Sequence, residues 1–208
     1  ALGAGSVTPM QLAAGYSVFA NGGYRINPFL ITRVTDHTGK VLVESRPTGL
    51  TEPSRAIDAR NAFIMNTMLQ EVARSGTAAR AQATLKRPDI AGKTGTTNDS
   101  MDAWFAGWQS GVAAVVWIGY DNPKKLGDRE TGGGLALPVW IEYMAHALKG
   151  VPVAQLKPPD GVVQAGGEWM YDEFAHGQRV ISVGLDEQPA PTPPTEDEKK
   201  SILDLFKN

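Results

Sequence analysis

The sequence predicts an α+β fold, with an antiparallel sheet flanked by helices. Two observations lead to this prediction. Segments with apolar residues at helical spacing come before and after a block of three strand-like runs, at residues 90–97, 103–108 and 112–120. The link between the last two runs, residues 109–111, is too short to cross over a sheet, so these strands are expected to pair antiparallel. This order of elements is typical of α+β domains.

The composition excludes several classes of protein. The 208 residues are 42% hydrophobic and 20% charged with a net charge of −2, so we expect one sizeable domain with appended segments and no nucleic-acid groove. The longest apolar runs are too short to span a bilayer as a helix. Cys is absent and the three His residues are scattered, so we expect neither a metal site nor a cofactor.

The N-terminal part is predicted to form a helix followed by a hairpin. Thr8 begins a capping-box pattern with Gln11, which marks a helix start, and Gly22 marks the end of that helix. Two short strand-like runs at 29–34 and 40–44 then flank a turn, which indicates a hairpin.

A longer helix is predicted over residues 58–73, with Asp58 as its N-cap and residues 75–77 closing it. The apolar side chains that share one face are expected to point to the core: Ala62, Met65, Met68, Leu69 and Val72.

Beyond the strands, residues 119–134 are predicted to be loop, and Pro138 is predicted to open a helix that ends at Gly150. Its expected apolar face is Trp140, Tyr143, Met144, Ala147 and Leu148. The Trp residues of this region are predicted to be core rather than a ligand platform: Trp104, Trp108, Trp117 and Trp140.

The composition changes after residue 150. Residues 151–188 form a Pro- and Gly-rich extension, in which a short strand is predicted at 179–183. Residues 189–208 are predicted to be a Pro-rich linker and a short terminal helix, because Thr195 and Glu198 repeat the capping-box pattern. We expect this helix to dock through its apolar residues: Ile202, Leu203, Leu205 and Phe206.

The candidate functional site is the stretch 91–99, Ala-Gly-Lys-Thr-Gly-Thr-Thr-Asn-Asp. Alternation in a strand puts Lys93 on one face and the hydroxyls of Thr94 and Thr96 on the other, yet both sets can serve one cleft at a twisted sheet edge. Gly95 leaves room for a substrate's main chain to pair as an added strand. The hydroxyls can bind a terminal carboxylate, and the N–H of Thr96 can point at a developing oxyanion.

Less specific interpretations remain open. A lone Lys-Thr-Gly is most often a turn leading into a strand, and residues 130–134 can be only a flexible loop. A nucleotide-binding P-loop is excluded, because that motif requires Gly where this chain has Arg87 and runs into a helix rather than a strand.

Seven separated stretches, taken in order, resemble the C-terminal half of the transpeptidase domain in class A penicillin-binding proteins of the 1A type. The resemblance covers about residues 1–150. The stretches are Ala-Leu-Gly at 1–3, Val-Thr-Pro-Met-Gln-Leu-Ala at 7–13, Phe-Ala-Asn-Gly-Gly at 19–23, Lys-Thr-Gly-Thr-Thr-Asn-Asp at 93–99, Asp-Ala-Trp-Phe at 102–105, Trp-Ile-Gly-Tyr-Asp at 117–121 and Thr-Gly-Gly at 131–133.

The resemblance implies a partial penicillin-binding or serine β-lactamase-like transpeptidase fold and a set of roles. Lys93 and Thr96 would be catalytic, Lys93 in the proton and anion network and Thr96 through an N–H that supplies half the oxyanion hole. Thr94, Gly95, Thr96 and Thr97 would bind substrate, with the Thr94 and Thr96 hydroxyls on the carboxylate of a stem peptide's terminal D-Ala or of a β-lactam.

The resemblance also implies that the chain is part of a larger enzyme, a peptidoglycan D,D-transpeptidase that acts through a serine acyl-enzyme. The family's nucleophile motif Ser-x-x-Lys and its Ser-x-Asn motif do not occur in the sequence, so we expect the chain to be inactive alone and to need the upstream half of the same protein. Ala1 is not an initiator Met, which fits an internal start. Relatives carry a glycosyltransferase domain and an N-terminal membrane anchor, which implies the periplasmic face of the bacterial inner membrane.

Two alternatives stay beside this interpretation. One is a fragment of a D,D-carboxypeptidase or β-lactamase-like hydrolase, which uses the same acyl-enzyme chemistry. The other is a non-catalytic module that retains only the carboxylate-binding groups.

Overall fold

The computed structural model describes residues 6–47, 49–128, 130–154 and 156–175. Its helices and strands, in chain order, are α1 Pro9–Ala20, β1 Arg33–Thr35, β2 Val41–Glu44, α2 Ala59–Arg74, α3 Ala79–Leu85, β3 Ala91–Thr96, β4 Ala103–Gln109, β5 Val112–Ile118, α4 Leu137–Ala147, β6 Val162–Ala165 and β7 Glu168–Tyr171. One π-helical turn, Gly132–Ala136, leads directly into α4.

The predicted three-stranded meander is confirmed. Strands β3, β4 and β5 pair antiparallel in that order, with Lys93 opposite Ala106 and Ala106 opposite Val115. The predicted N-terminal hairpin is also present as β1 and β2, although its first strand is shorter than expected. The fold class is therefore α+β, as the sequence predicted.

Helices cover the two faces of the three-stranded sheet. On one face, Trp108 packs against α1, where the rings of Tyr16 and Phe19 lie 5.4 and 6.2 Å from its own. On the other face, Phe105 packs on α4, its ring 4.9 Å from that of Trp140. Phe105 and Trp108 lie on opposite faces of the sheet because they are three positions apart in β4, and successive side chains of a strand point to opposite faces.

The indole N–H groups of two buried Trp side chains have hydrogen-bond acceptors within the fold. Trp140 donates from Nε1 to the carbonyls of Gly107 and Ala114, and a Cβ at Gly107 would lie 2.6 Å from the indole, so this position accepts no larger residue. Trp108 donates to Oδ1 of Asn66 on α2, at 2.9 Å. The prediction that the Trp residues are core is confirmed for these two and wrong for Trp117, which is 36% exposed and lines the groove with the half-buried Trp104.

The buried face of α2 differs from the predicted one. Met65 and Met68, expected in the core, are 36% and 60% exposed, whereas Phe63 and Asn66 are buried. The rest of the predicted face is confirmed, since Ala62 is buried and Leu69 and Val72 pack against the core. The burial of a polar residue, Asn66, is explained by the hydrogen bond that it accepts from Trp108. The start of α2 is as predicted, since the Asp58 carboxylate accepts from the N–H of Arg60.

Helix α4 shows a smaller difference of the same kind. Tyr143 was expected on the apolar face but is 54% exposed, and Ile141 takes its place in the core beside Leu137, Met144 and Leu148. These four residues follow the i, i+4, i+7, i+11 spacing of one face, which Tyr143 does not share.

Three elements were not predicted from the sequence. Helix α3 lies where the sequence offered no cap, since Ala78 precedes it without a side-chain hydrogen bond. The π-helical turn occupies part of the predicted loop, and the hairpin of β6 and β7 lies in the Pro- and Gly-rich extension. The predicted strand at 179–183 and the predicted helix after residue 194 lie outside the described residues.

A buried ion pair fixes the start of β3. Asp89, 4% exposed, accepts from Arg87, from Nε2 of Gln109 and from the N–H of Ala154, while Arg87 also donates to the carbonyl of Val151. The segment that follows α4 is thereby tied to the strand that carries the Lys-Thr-Gly motif.

Within the ranges described, no helix is both long and apolar enough to cross a membrane. The same ranges contain no group of three His, Cys, Asp or Glu side chains arranged to hold a metal ion.

Candidate functional site

A groove of about 930 Å³ lies between α1 and the C-terminal half of β3. It brings together all five residues that the sequence nominated: Lys93, Thr94, Gly95, Thr96 and Thr97. The start of α1 forms the opposite wall, with Val7, Pro9, Leu12 and Tyr16, and Trp104 and Trp117 form part of the lining. Burial raises the pKa of the Tyr16 phenol above its ordinary value, so this side chain is uncharged at physiological pH.

Lys93 and Gly95 lie on the face of β3 that looks toward α1. The Lys93 side chain is exposed, and its Nζ donates to the carbonyl of Thr94 at 2.9 Å, which leaves two of its three protons available. At Gly95 a Cβ would lie 3.1 Å from Cβ of Trp104. Because Gly95 has no side chain, the backbone of β3 is left uncovered beside the indole of Trp104.

Among the strands described, β3 is an edge of its sheet, since only β4 pairs with it. An edge strand presents main-chain N–H and C=O groups that an extended peptide can pair with. This is the geometry that the sequence predicted for recognition of a peptide main chain.

The Thr96 hydroxyl is held from behind by the π-helical turn. Its Oγ1 accepts from the N–H of Gly132 at 3.1 Å. A Cβ at Gly132 would lie 2.3 Å from the carbonyl oxygen of Trp104 and 2.4 Å from that of Gly95, so the turn lies directly against the sheet backbone. Because an N–H can only donate, the proton of the Thr96 hydroxyl remains free for a ligand.

The Thr94 hydroxyl has a different partner. Its Oγ1 lies 2.8 Å from Oγ1 of Thr77, which follows α2. In the sequence, residues 75–77 indicate only a helix end, so Thr77 is not predicted to belong to the site. No local signal in the sequence links it to Thr94, which lies seventeen positions later in the chain.

Thr97 lines the groove, but its hydroxyl is used within the protein. Oγ1 accepts from the N–H of Asp102 at 2.8 Å, and the Thr97 N–H bonds back to the Asp102 carbonyl at 3.2 Å. Asp102 in turn accepts from Nε1 of Trp117 at 2.7 Å. Thr97 therefore shapes the turn between β3 and β4 more than it presents a free hydroxyl.

That turn is conformationally strained. Asp99 and Ser100 both adopt left-handed backbone conformations, with φ of 60° and 52°. Consecutive non-Gly residues at positive φ cost about 1–3 kcal/mol each and persist only where the surroundings impose them. Here the Leu126 N–H holds the Ser100 carbonyl at 2.9 Å, so the loop after β5 supports the turn.

The site can bind an anion that carries an adjacent main chain. One ammonium, two hydroxyls and an edge strand converge on the groove, which suits a peptide-like ligand with a carboxylate. The sequence contains no Ser with Lys three positions later, so the Ser-x-x-Lys nucleophile motif is not part of this chain.

Comparison with known proteins agrees with this geometry. The family described as the penicillin-binding protein transpeptidase domain matches residues 1–145. Penicillin-binding protein 1A of Neisseria flavescens is 46% identical over 196 residues, which is 93% of this chain and 24% of that protein. The chain thus spans about a quarter of the length of the curated relatives that it matches.

Solved structures show the same relationship. The crystal structure of penicillin-binding protein 1A from Haemophilus influenzae matches with a TM-score of 0.74 at 32% identity, covering 85% of this chain and 33% of that one. The imipenem acyl-enzyme complex of penicillin-binding protein A from M. tuberculosis matches with a TM-score of 0.50 at 25% identity, covering 68% and 31%.

Proposed function

The chain belongs to the penicillin-binding protein transpeptidase family, and from this premise we propose that it is the C-terminal part of a peptidoglycan D,D-transpeptidase domain. The complete protein would cross-link cell-wall stem peptides through a serine acyl-enzyme. The observation that carries the proposal is the edge strand β3, which lines the groove with Lys93, Thr94 and Thr96.

The proposed substrate is a stem peptide that ends in D-Ala. Its main chain would pair with the edge of β3 beside Gly95, and its terminal carboxylate would accept from the hydroxyls of Thr94 and Thr96. The free proton on the Thr96 hydroxyl supports this role, because a carboxylate can only accept hydrogen bonds.

The residues that take part in the proposed acyl-transfer step would come partly from this chain and partly from the rest of the protein. The nucleophilic Ser and its activating Lys would come from the upstream half. Lys93 would contribute positive charge to the network around that Ser, and the N–H of Thr96 would donate to the oxyanion of the tetrahedral intermediate. Removing one such oxyanion donor in other acyl-transfer enzymes costs about 10²–10³ in rate.

The same groups would accept a β-lactam, whose carboxylate and acyl carbonyl resemble those of the peptide. The M. tuberculosis relative is described as an imipenem acyl-enzyme, which supports β-lactams as ligands of this family. A transpeptidase of peptidoglycan would act on the periplasmic face of the inner membrane, and we propose that location for the complete protein.

Labelling with a fluorescent penicillin tests the proposal. We expect the complete protein to form a covalent adduct that survives a denaturing gel, and the 208-residue chain alone to form none, because it lacks the nucleophile motif. Absence of labelling in the complete protein would contradict the proposal. Labelling of the chain alone would show that it carries a nucleophile outside the Ser-x-x-Lys motif.

Product analysis separates the transpeptidase from the hydrolase alternative. The complete protein, given a stem peptide and an acceptor amine, should form the cross-linked product and release D-Ala. Release of D-Ala without any cross-linked product would identify a D,D-carboxypeptidase instead.

A further inference from the structure

Thr77 is a residue that neither the motif nor the proposed roles include, yet it contacts the motif directly. Its Oγ1 lies 2.8 Å from Oγ1 of Thr94 at the exposed rim of the site. Gly133 packs beside this pair, since a Cβ there would lie 3.4 Å from the Thr77 carbonyl oxygen and 3.8 Å from Cγ2 of Thr94.

The backbone around Thr77 is held firmly in place. The next residue, Ala78, has no exposed surface, and its N–H donates to the Val72 carbonyl at 3.1 Å. The preceding Gly76 lies so close to α2 that a Cβ would be 2.9 Å from Cα of Val72. Thr77 is therefore presented to Thr94 by a rigid turn.

The two hydroxyls of the motif are supported in parallel ways. Thr96 receives a hydrogen bond from the Gly132 N–H, which fixes its oxygen as acceptor on the protein side. Thr94 has the Thr77 hydroxyl in the corresponding position. When a carboxylate binds, both motif hydroxyls must donate to it, so each oxygen is free to accept from its partner behind.

We propose that Thr77 is a positioning residue for carboxylate recognition, whose hydroxyl donates to Thr94 Oγ1 so that Thr94 directs its own proton at the ligand. This inference rests on the proposed function, because it assigns Thr94 to the carboxylate. A donor behind Thr94 also polarises its O–H bond and strengthens the hydrogen bond that it makes.

The test uses the complete protein and measures the second-order rate constant of acylation by a penicillin and by the methyl ester of that penicillin. Thr77→Val keeps the shape and removes the hydroxyl, and it should slow acylation by the acid about 3- to 10-fold, the range of one neutral hydrogen bond. Acylation by the ester, which has no carboxylate, should not change. Thr77→Ser should restore the rate with the acid.

A matched control and a double variant sharpen the result. Thr67→Val removes a hydroxyl that bonds only to the Ile64 carbonyl within α2, and it should leave both rates unchanged. In a Thr94→Val background, Thr77→Val should have no further effect, because Thr77 acts through Thr94. An effect that persists there would overturn the positioning role in favour of direct ligand contact.

The failure of this inference is distinguishable from the failure of the proposed function. A wild-type protein that no penicillin acylates overturns both. A wild-type protein that is acylated, with Thr77→Val unchanged or equally slow toward acid and ester, overturns only the role of Thr77.

Discussion

The polar groups along strand β3 differ in burial and in how much of their hydrogen-bonding capacity the protein itself uses. Just before the strand, the carboxylate of Asp89 is almost fully buried and accepts from Arg87, Gln109 and Ala154. From the middle of the strand to its other end, Lys93 and Thr96 are exposed, and each keeps at least one proton that no described protein group accepts.

This difference separates stability from function along one strand of six residues. A buried charge is costly unless its partners satisfy it, so the Asp89 end is a fixed anchor. A group that is to bind a ligand must keep hydrogen-bonding capacity unused, so the segment from Lys93 to Thr96 remains open. Substitutions at the two ends should therefore affect different measurements.

The largest expected effect is on stability at the anchored end. Asp89→Ala removes the carboxylate partner of the largely buried Arg87 guanidinium and should lower the free energy of unfolding by about 3–5 kcal/mol, the cost of breaking a buried ion pair. Urea denaturation of the chain measures this difference.

Asp89→Asn is the matched control for that prediction. It keeps the shape and an acceptor oxygen while removing the charge, so its loss should be smaller than that of the Ala variant. Equal stability of wild type and Asp89→Ala would show that the network contributes nothing and would remove the basis for the contrast between the two ends.

The next largest effect is on acylation at the open end. In the complete protein, Thr96→Ala should slow acylation by a β-lactam about 10- to 100-fold, because it removes one charge-assisted hydrogen bond of about 1.5–3 kcal/mol to the carboxylate but keeps the backbone N–H. Thr96→Pro should be far slower, since it removes the N–H itself. Equal rates in the two variants would show that Thr96 does not donate from its backbone.

Acid should reduce the stability that the ionised Asp89 carboxylate contributes, whereas neutral pH should leave it complete. Burial alone would raise the pKa of the Asp89 carboxyl, but hydrogen bonds from Arg87, Ala154 and Gln109 outweigh this and hold the pKa below its ordinary value. The unfolded chain therefore takes up the proton first, at about pH 3.9. The stabilisation is complete above that pH and is lost as the pH falls through the lower folded pKa.

Urea titrations between neutral pH and about pH 3 check this dependence, compared with Asp89→Asn, which cannot titrate at this position. The free energy of unfolding should decline less steeply in acid for the Asn variant. The same decline in both proteins would assign the acid sensitivity to other carboxylates.

The fold could be predicted where local chemistry decides the structure. The capping box at Thr8, the Asp58 cap and the three antiparallel strands were all read correctly, because caps, turns and short links act over a few residues. The burial of Asn66 in α2 was not predicted, since it depends on a hydrogen bond with Trp108, 42 positions away in the chain. Periodicity records apolar residues and cannot show which polar residue has a buried partner.

The site residues also differ in whether they could be predicted, according to whether they are neighbours in the sequence. The motif nominated Lys93, Thr94, Gly95, Thr96 and Thr97 together because they are neighbours in one strand and its turn, and all of them line the groove. Thr77 and Gly132 reach the strand from the turn after α2 and from the π-helical turn before α4, so only the tertiary structure brings them to the motif hydroxyls. The Thr-Gly-Gly stretch at 131–133 was recognised by resemblance, but its contact with Thr96 was not predicted.

The smallest expected effect on stability is at Lys93. Its ammonium is exposed and hydrogen-bonds only to the carbonyl of the next residue, so Lys93→Met should change the free energy of unfolding of the chain by no more than about 0.5 kcal/mol, as for other surface substitutions. The same variant in the complete protein should acylate much more slowly, whereas the exposed Lys149→Met should alter neither property. A large loss of stability in Lys93→Met would mean that the ammonium supports the fold, and the open end of β3 would then be anchored like the other.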